Sequence, residues 1–480
     1  MNSYLNSAVP GWAGFLLRGA EPGEQCYWAG TPNGQNPSDG VRSTGSEGAT
    51  ATLKPLGPDI TCMGTGLDEF VADFQRDEAD ERRRLAEEKS YAITEYLEGV
   101  AEQFDERLQG DALFGSTAPE VFVGRSGYPN VSTGVLSPMA EDADAAAYAT
   151  SGDWYARGLG VEDVLQRRSG LLNSTRTADV DIYDTWDGFV GVQREVAIAD
   201  RPVDVEVGLA DTPDLDMGFD DITTPTGPRA RAKDAELAEN PHVPRAVEKT
   251  LEDDDWRAEG AMTYLYRRGF DVYDINTILS AGALGQGENR RLVPTRWSIT
   301  AVDDTVGQYL RGGLQHSNSV DTVQVWANEY MGNRYWVILT PGNWEFELVE
   351  MKAPDSVWNP EASDYYLASA HEGYEGRTGY VEETAGAYYA ARLGVLEHLQ
   401  ERDRQAKCLV LREVTDDYWA PVGVWQVREG VRHAFEGDHG EAETFHDALR
   451  ALEPQLPISR TALRRKSNLV AGLQTALADF

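Results

Sequence analysis

Arg290-Arg291-Leu292-Val293-Pro294-Thr295-Arg296-Trp297-Ser298-Ile299-Thr300-Ala301-Val302-Asp303-Asp304-Thr305 puts three arginines, a tryptophan and two adjacent aspartates into sixteen residues. It reads as a basic loop feeding a short strand, Ser298–Val302, that ends on Asp303-Asp304. Arginine forks at a strand's entry and carboxylates at its exit suit a phosphate-handling site. Just upstream, Gly282-Ala283-Leu284-Gly285-Gln286-Gly287 reads as a mobile loop able to wrap a phosphate backbone. It is neither a dinucleotide fingerprint nor a P-loop, because no Gly-Lys-Ser/Thr follows. Trp297 either stacks on a splayed base or fills the core. Asp303 and Asp304 either hold a divalent metal or serve as a cap or ion pair with Arg296.

A second run, Phe122-Val123-Gly124-Arg125-Ser126-Gly127-Tyr128-Pro129-Asn130-Val131, surrounds an arginine and a tyrosine with small residues. Glycines allow close backbone approach and exposed amides that can hold phosphate, or simply a packed turn. Arg167-Arg168 with Asn173-Ser174-Thr175-Arg176 reads as another basic, polar patch.

The chain has 480 residues, room for two or three domains, and a formal net charge of -37. Seven of its 43 basic residues are lysine. Such acidity with scarce lysine fits a high-salt cytoplasm, where surface carboxylates keep a protein hydrated and soluble. It also works against general DNA affinity, so any DNA contact must come from local arginine clusters or a partner. Cys26, Cys62 and Cys408 form no Cys-x-x-Cys pair, which argues against a zinc ribbon or a disulfide framework. No run of eighteen apolar residues marks a membrane span and no secretory start is visible, so a reducing cytoplasm is expected.

Residues 1–62 carry only five acids and three bases, are rich in Gly, Pro, Ser, Thr and Asn, and lack periodicity. They read as a disordered extension or as an upstream misreading of a frame that starts at Met63. Residues 63–112 read as a helical segment, with Ile93, Tyr96, Leu97, Val100, Phe104 and Leu108 at three- and four-residue spacing. Within it, Arg82-Arg83-Arg84 sits among glutamates as a solvated face. From 113 to 365, β-rich runs alternate with Gly and Pro loops. The strands expected are Val192–Ile198, Val203–Val207, Val323–Trp326, Tyr335–Thr340 and Glu345–Met351. Asp211–Arg231, with three prolines and many acids, reads as an exposed loop. A smaller, helix-rich domain follows at 366–470. Its expected elements are a helix over Val381–Gln405, strands at Cys408–Val414 and Val422–Val427, and helices over Glu443–Leu452 and Ile458–Leu473. The class is α+β, closed by a tail at 471–480.

Glu350-Met351-Lys352 follows an apparent strand. Restriction-type nucleases place Glu-x-Lys there so that carboxylates hold magnesium and lysine activates water. Asp303, Asp304, Glu350 and Lys352 are therefore candidates for metal-dependent cleavage; otherwise no cofactor is evident. His433, His439 and His446 lack zinc-ligand spacing and read as surface histidines. At the end of the chain, Gln474-Thr475-Ala476-Leu477-Ala478-Asp479-Phe480 has the form of a clamp-binding peptide, with one aromatic where two adjacent ones are common. One helical turn puts Leu477 and Phe480 on the same face to fill a pocket, with Gln474 on its rim. Arg464-Arg465-Lys466 adds local positive charge for the clamp's acidic surface or for DNA.

The first two motifs and the tail together resemble the archaeal NreA family of DNA repair proteins, over about Leu67 to Phe480. The resemblance implies damage repair through the sliding clamp PCNA, bound by Gln474, Leu477 and Phe480, alongside nucleotide-excision proteins. It favours Arg125, Tyr128, Arg290, Arg291, Arg296 and Trp297 as DNA or phosphate contacts. Some relatives carry an N-terminal cysteine-rich zinc motif, from which this chain departs. A metal-dependent nuclease and a non-catalytic reader of damaged or branched DNA are the competing classes.

Overall fold

The computed structural model describes residues 112–472 and the backbone of residues 108–109, apart from 140–143, 183–184, 212, 215–220 and 360–361. The expectations for residues 1–62, for the helix before Leu108 and for the 473–480 tail lie outside the described residues. Two large sheets, a two-stranded one and twelve α-helices are described, which makes the class α+β.

The first sheet has the order β1-β2-β6-β7-β5-β4-β3. Its strands are β1 Leu108–Gln109, β2 Ala112–Ser116, β3 Val121–Val123, β4 Asn130–Pro138, β5 Leu171–Asp179, β6 Asp204–Leu209 and β7 Arg229–Leu237. Only β5 and β7 pair in parallel. Two short helices, α1 Asp153–Ala156 and α2 Val161–Ser169, lie between β4 and β5, and α3 Gly188–Ile198 follows β5. Phe189, Val192 and Val196 of α3 pack on Val135, Val205, Val207 and Ala230. β6 and β7 alternate buried and exposed residues, the pattern of a sheet with one solvated face.

Four helices come next: α4 Arg245–Glu252, α5 Ala258–Arg267, α6 Val272–Ser280 and α7 Thr295–Leu314. A two-stranded pair follows, β8 Asn318–Ser319 with β13 Arg404–Gln405. The second large sheet has the order β12-β11-β14-β10-β9-β15. It comprises β9 Val323–Tyr330, β10 Asn333–Thr340, β11 Glu345–Lys352, β12 Tyr366–Glu372, β14 Lys407–Val414 and β15 Gly440–Ala442, with only β11 and β14 parallel. The remaining helices are α8 Ala385–Arg402, α9 Trp425–Ala434, α10 Phe445–Leu452, α11 Arg460–Lys466 and α12 Asn468–Gly472. Val337, Leu339, Phe346, Leu348, Cys408 and Val410 face α7, α8 and α9. Their alternates Trp336, Ile338, Val349, Met351, Leu409 and Leu411 face α10, α11 and α12. Burial on both faces explains the apolar runs Tyr335–Leu339 in β10 and Cys408–Leu411 in β14.

The stretch that opened the sequence reading is not a strand. Ser298–Val302 lies in α7, a 20-residue helix. Beyond Thr305 the apolar stripe Val302, Val306, Leu310, Leu314 recurs every fourth residue, and all four are buried. Burying each is worth about 1.5–3 kcal/mol. That outweighs the roughly 0.7 kcal/mol per residue that Ile299, Thr300 and Val302 cost in a helix. Val192–Ile198 is likewise helical, because Phe189, Val192 and Val196 form one face of α3. Val422–Val427 is the entry to α9, whose Val427, Val431 and Ala434 turn inward. The expected helix over Ile458–Leu473 divides at Ser467. There the buried Glu347 accepts from Ser467 Oγ (2.6 Å) and from the Asn468 and Leu469 amides (2.7 and 2.9 Å), capping a new helix start. The expected exposed loop Asp211–Arg231 is partly interior, with Ile222, Thr224 and Thr226 buried. The helix expected over Val381–Gln405 runs from Ala385 to Arg402 and stops at Asp403, whose φ is 50°.

Candidate phosphate-binding cleft

Thr295, the first residue of α7, brings the two sequence motifs together. Its Oγ1 accepts from the Val123 amide (2.9 Å) and lies 3.2 Å from Ser280 Oγ. The start of α7 is thereby fastened to the end of β3. Arg296 then falls beside the turn that carries Arg125. Gly127 makes that turn possible: its φ is 83°, and a Cβ there would lie 2.7 Å from the Asn130 carbonyl oxygen.

The result is a cleft of about 290 Å³ lined by Phe122, Gly124, Arg125, Ser126, Ser132, Thr223, Thr226, Arg229 and Arg296. Three guanidinium groups and four hydroxyls converge there. Arg296 pairs with Asp221. Arg229 is exposed at the first position of β7. It donates to Thr226 Oγ1 (3.2 Å), lies 5.5 Å from the Phe122 ring centroid, and has no carboxylate partner among the described residues. Positive charge without a carboxylate, next to hydroxyl donors, is the chemistry of a phosphate site. Beside it, Tyr128 and Trp297 form a tilted aromatic pair with centroids 5.5 Å apart. Trp297 is half-buried against its neighbour, short of a free stacking platform.

The other two arginines of the opening motif go elsewhere. Arg290 is 5 % exposed, and its guanidinium donates to the carbonyls of Gly285 (3.0 Å), Thr250 (3.3 Å) and Leu251 (2.9 Å). Arg291 is ion-paired to Asp181 at 2.8 Å. The glycine run they follow is not a mobile strap. Gly282 through Gly285 are buried, and a Cβ on Gly282 would overlap Ile182 and the Arg291 backbone. The patch around Arg167 is also mostly interior: Arg168 is buried on Glu120 (2.9 Å), and Asn173, Ser174 and Thr175 are buried in β5.

The four nuclease candidates do not come together as one site. Asp303 and Asp304 are successive helical residues about 100° apart around the axis and face different partners. Asp303 receives both Arg428 Nη2 (2.6 Å to Oδ2) and Nε (3.1 Å). Asp304 and Glu372 share Arg392, at 2.5 and 2.9 Å. Glu350 pairs with Arg412 at 2.5 Å and with Lys352 at 3.4 Å. Burial opposes the Arg428 charge, but the Asp303 carboxylate outweighs it and holds that guanidinium above its ordinary range. Burial likewise works against Glu372, yet the Arg392 guanidinium keeps its carboxyl below its ordinary value. Among the described residues no three His, Cys, Asp or Glu side chains are grouped to hold a metal ion.

Arg229, Thr223 and Thr226 escaped the sequence reading. The only signal was an arginine at the first alternating position after Pro228, inside a stretch read as exposed loop. His433 is half-buried, stacked on Tyr155 at 3.7 Å, whereas His439 and His446 are exposed as expected. Gln474, Leu477 and Phe480 lie outside the described residues. Nearby, Lys466 is paired to Glu383 at 2.6 Å. No described helix is long and apolar enough to cross a membrane.

Two family models match the chain: archaeal Nre, N-terminal, over residues 85–359, and archaeal Nre, C-terminal, over residues 372–480. The cleft lies wholly in the first region, while the six-stranded sheet takes β9, β10 and β11 from the first and β14 and β15 from the second. The chain is 66% identical over 418 residues to the DNA repair protein NreA of Haloferax volcanii, covering 86% of this chain and 99% of the relative. It is 38% identical over 362 residues to DNA repair protein NreA of Archaeoglobus fulgidus, covering 75% and 88% of the two chains. DNA repair protein NreB of the same organism is 38% identical over 369 residues, with 77% and 92% covered. No solved structure matches.

Proposed function

The chain belongs to the archaeal Nre family, and we propose that it is a cytoplasmic DNA repair factor that the sliding clamp PCNA brings to DNA, alongside excision-repair proteins. The cleft of Arg125, Arg229 and Arg296 then holds the DNA backbone. The observation that carries this reading is the Arg229 guanidinium, which meets the cleft's hydroxyls and has no carboxylate partner among the described residues. The names of the relatives support a role in DNA repair. With a net charge of -37, the body repels DNA at long range, so a small cleft by itself gives modest affinity. Tethering offsets this deficit: a clamp-bound tail presents the cleft to DNA at an effective concentration on the order of millimolar. Gln474, Leu477 and Phe480 supply the tether.

The two halves separate by experiment. Calorimetric titration of the cognate clamp should lose binding in Phe480→Ala while a single-stranded oligonucleotide still binds. In Arg229→Ala, oligonucleotide affinity measured by fluorescence anisotropy should fall about tenfold, the worth of one charge-assisted contact, with clamp binding unchanged. Oligonucleotide binding that ignores Arg125, Arg229 and Arg296 would remove the cleft from the reading.

A further inference from the structure

The arginine cleft opens beside a second, larger cavity of about 560 Å³, and the two share Phe122, Thr223 and Thr226 as a common threshold. The larger cavity is bounded by the loop before β3, the segment around α1, the first turn of α6, Ile299 of α7 and the inner face of α9. Its committed charges cancel. Glu120 is paired with Arg168 (2.9 Å), and Glu429 accepts from Tyr273 Oη (2.7 Å) and Arg432 (2.8 Å). What remains uncommitted is negative: Asp153 and Asp274 are exposed to the cavity and have no cationic partner among the described residues. The Asn276 amide is half committed. Its Oδ1 accepts from Ser298 Oγ at 2.6 Å, which leaves the Nδ2 donor without a partner on the cavity wall. Phe122, Ile299 and Trp425 add apolar surface.

The two compartments therefore have opposite polarity: uncommitted positive charge and hydroxyls in the smaller, uncommitted carboxylates, one amide donor and apolar wall in the larger. A ligand spanning them must carry an anion at one end and a flat, partly apolar group with N–H donors at the other. A phosphate cannot occupy the larger cavity beside Asp153 and Asp274 without like-charge repulsion. An amino-bearing nucleobase can donate to a carboxylate there while accepting from the Asn276 amide, and the room is of the size that small-molecule sites have.

We propose that the arginine cleft and the larger cavity form one bipartite nucleotide site, with the phosphate in the cleft and the base in the cavity. The inference rests on the phosphate reading of the cleft given above. The nucleotide has two possible sources, a free nucleoside monophosphate or a nucleotide of a DNA strand turned out of its stack.

The test uses the full chain and two probes: deoxyadenosine monophosphate by calorimetry, and a single-stranded oligonucleotide with one 2-aminopurine, read by acrylamide quenching at saturating protein. In the wild type, quenching of the bound base should fall about threefold, because such pockets cover most of a ligand's surface. Ala146→Trp fills the cavity from an exposed position and Asp274→Asn removes its free charge; neither touches the arginines. Each should restore quenching of the strand-bound base. A free-nucleotide source predicts monophosphate binding weakened about tenfold by both Arg229→Ala and Ala146→Trp; an extruded source predicts protection in the strand only. A saturated oligonucleotide whose base stays fully quenchable, with no monophosphate binding sensitive to the cavity variants, overturns the proposal and leaves the phosphate cleft standing. Oligonucleotide binding that is indifferent to Arg229→Ala overturns the phosphate reading, and this inference with it. Near-UV circular dichroism of both cavity variants separates a filled cavity from a misfolded chain.

Discussion

The molecule keeps two populations of arginine. In the six-stranded sheet and the helices packed on it, Arg412, Arg392 and Arg428 are buried and each is paired with a carboxylate at 2.5–2.9 Å. At the first position of β7, the central strand of the seven-stranded sheet, Arg229 is exposed and has no carboxylate partner among the described residues. Other described arginines, such as Arg176, Arg311 and Arg377, spend their guanidinium on backbone carbonyls, whereas Arg229 meets a hydroxyl in a cleft. A buried arginine must be paired because stripping water from an unpaired charge costs several kcal/mol. An arginine intended for a ligand must be left with its charge uncommitted. The partner therefore says more about role than the residue type, and Arg290, once placed, belongs with the structural group.

That contrast breaks most readily at the buried pairs. Asp303→Ala strands Arg428 without its carboxylate, and unfolding in denaturant should show a loss of about 3–5 kcal/mol. The double variant Asp303→Leu with Arg428→Met should recover much of it, since an apolar pair leaves no unpaired charge. Recovery that fails would mean the pair sets local geometry beyond its charge.

A smaller effect comes from His398, stacked on Phe435 at 3.8 Å and accepting from Arg402. Burial first, then the Arg402 and His439 charges, push its pKa down to about 4. Because the folded pKa is depressed, the unfolded chain binds the extra proton first. The folded state is therefore unpenalised above pH 6.5, loses stability as pH falls from 6.5 to about 4, and changes no further below that. His398→Phe should flatten this part of the stability profile by about 3 kcal/mol. An unchanged slope between those pH values would show that the imidazole keeps its ordinary pKa.

The smallest stability effect belongs to the cleft. Arg229→Ala should shift unfolding by less than about 0.5 kcal/mol, as exposed substitutions do, while costing the DNA affinity described above. A large loss of stability would move Arg229 into the structural group and erase the contrast.

The core strands β10 and β14 were legible because Tyr335–Leu339 and Cys408–Leu411 are apolar at every position, the trace left by β structure buried on both faces, and β11 was legible from Phe346, Leu348, Val349 and Met351 between its charged residues. α7 was not legible from its first half: Ser298–Val302 is β-branched, and its helical stripe emerges only at Val306, Leu310 and Leu314. Asp303 and Asp304 looked like a paired site because adjacency in sequence suggests adjacency in space, whereas a helix turns them toward Arg428 and Arg392. The glycine-bearing Phe122–Val131 run and the arginine-rich Arg290–Thr305 run were visible as separate basic motifs. Arg229 was hidden because its significance depends on lacking a carboxylate neighbour, which no local pattern records.

By itself the sequence determined the α+β class, the family, the acid excess and the residue types from which a phosphate contact can be made. Each follows from composition, short-range periodicity or motif spelling. Only the tertiary structure decided which arginines are committed. It placed Thr295 against Val123, drew Arg296 to Arg125, gave Arg290 to the glycine run, and left Arg229 without a carboxylate among the described residues. Whether a charge is available depends on which groups hundreds of residues away come within a few ångströms of it, and that is fixed by packing.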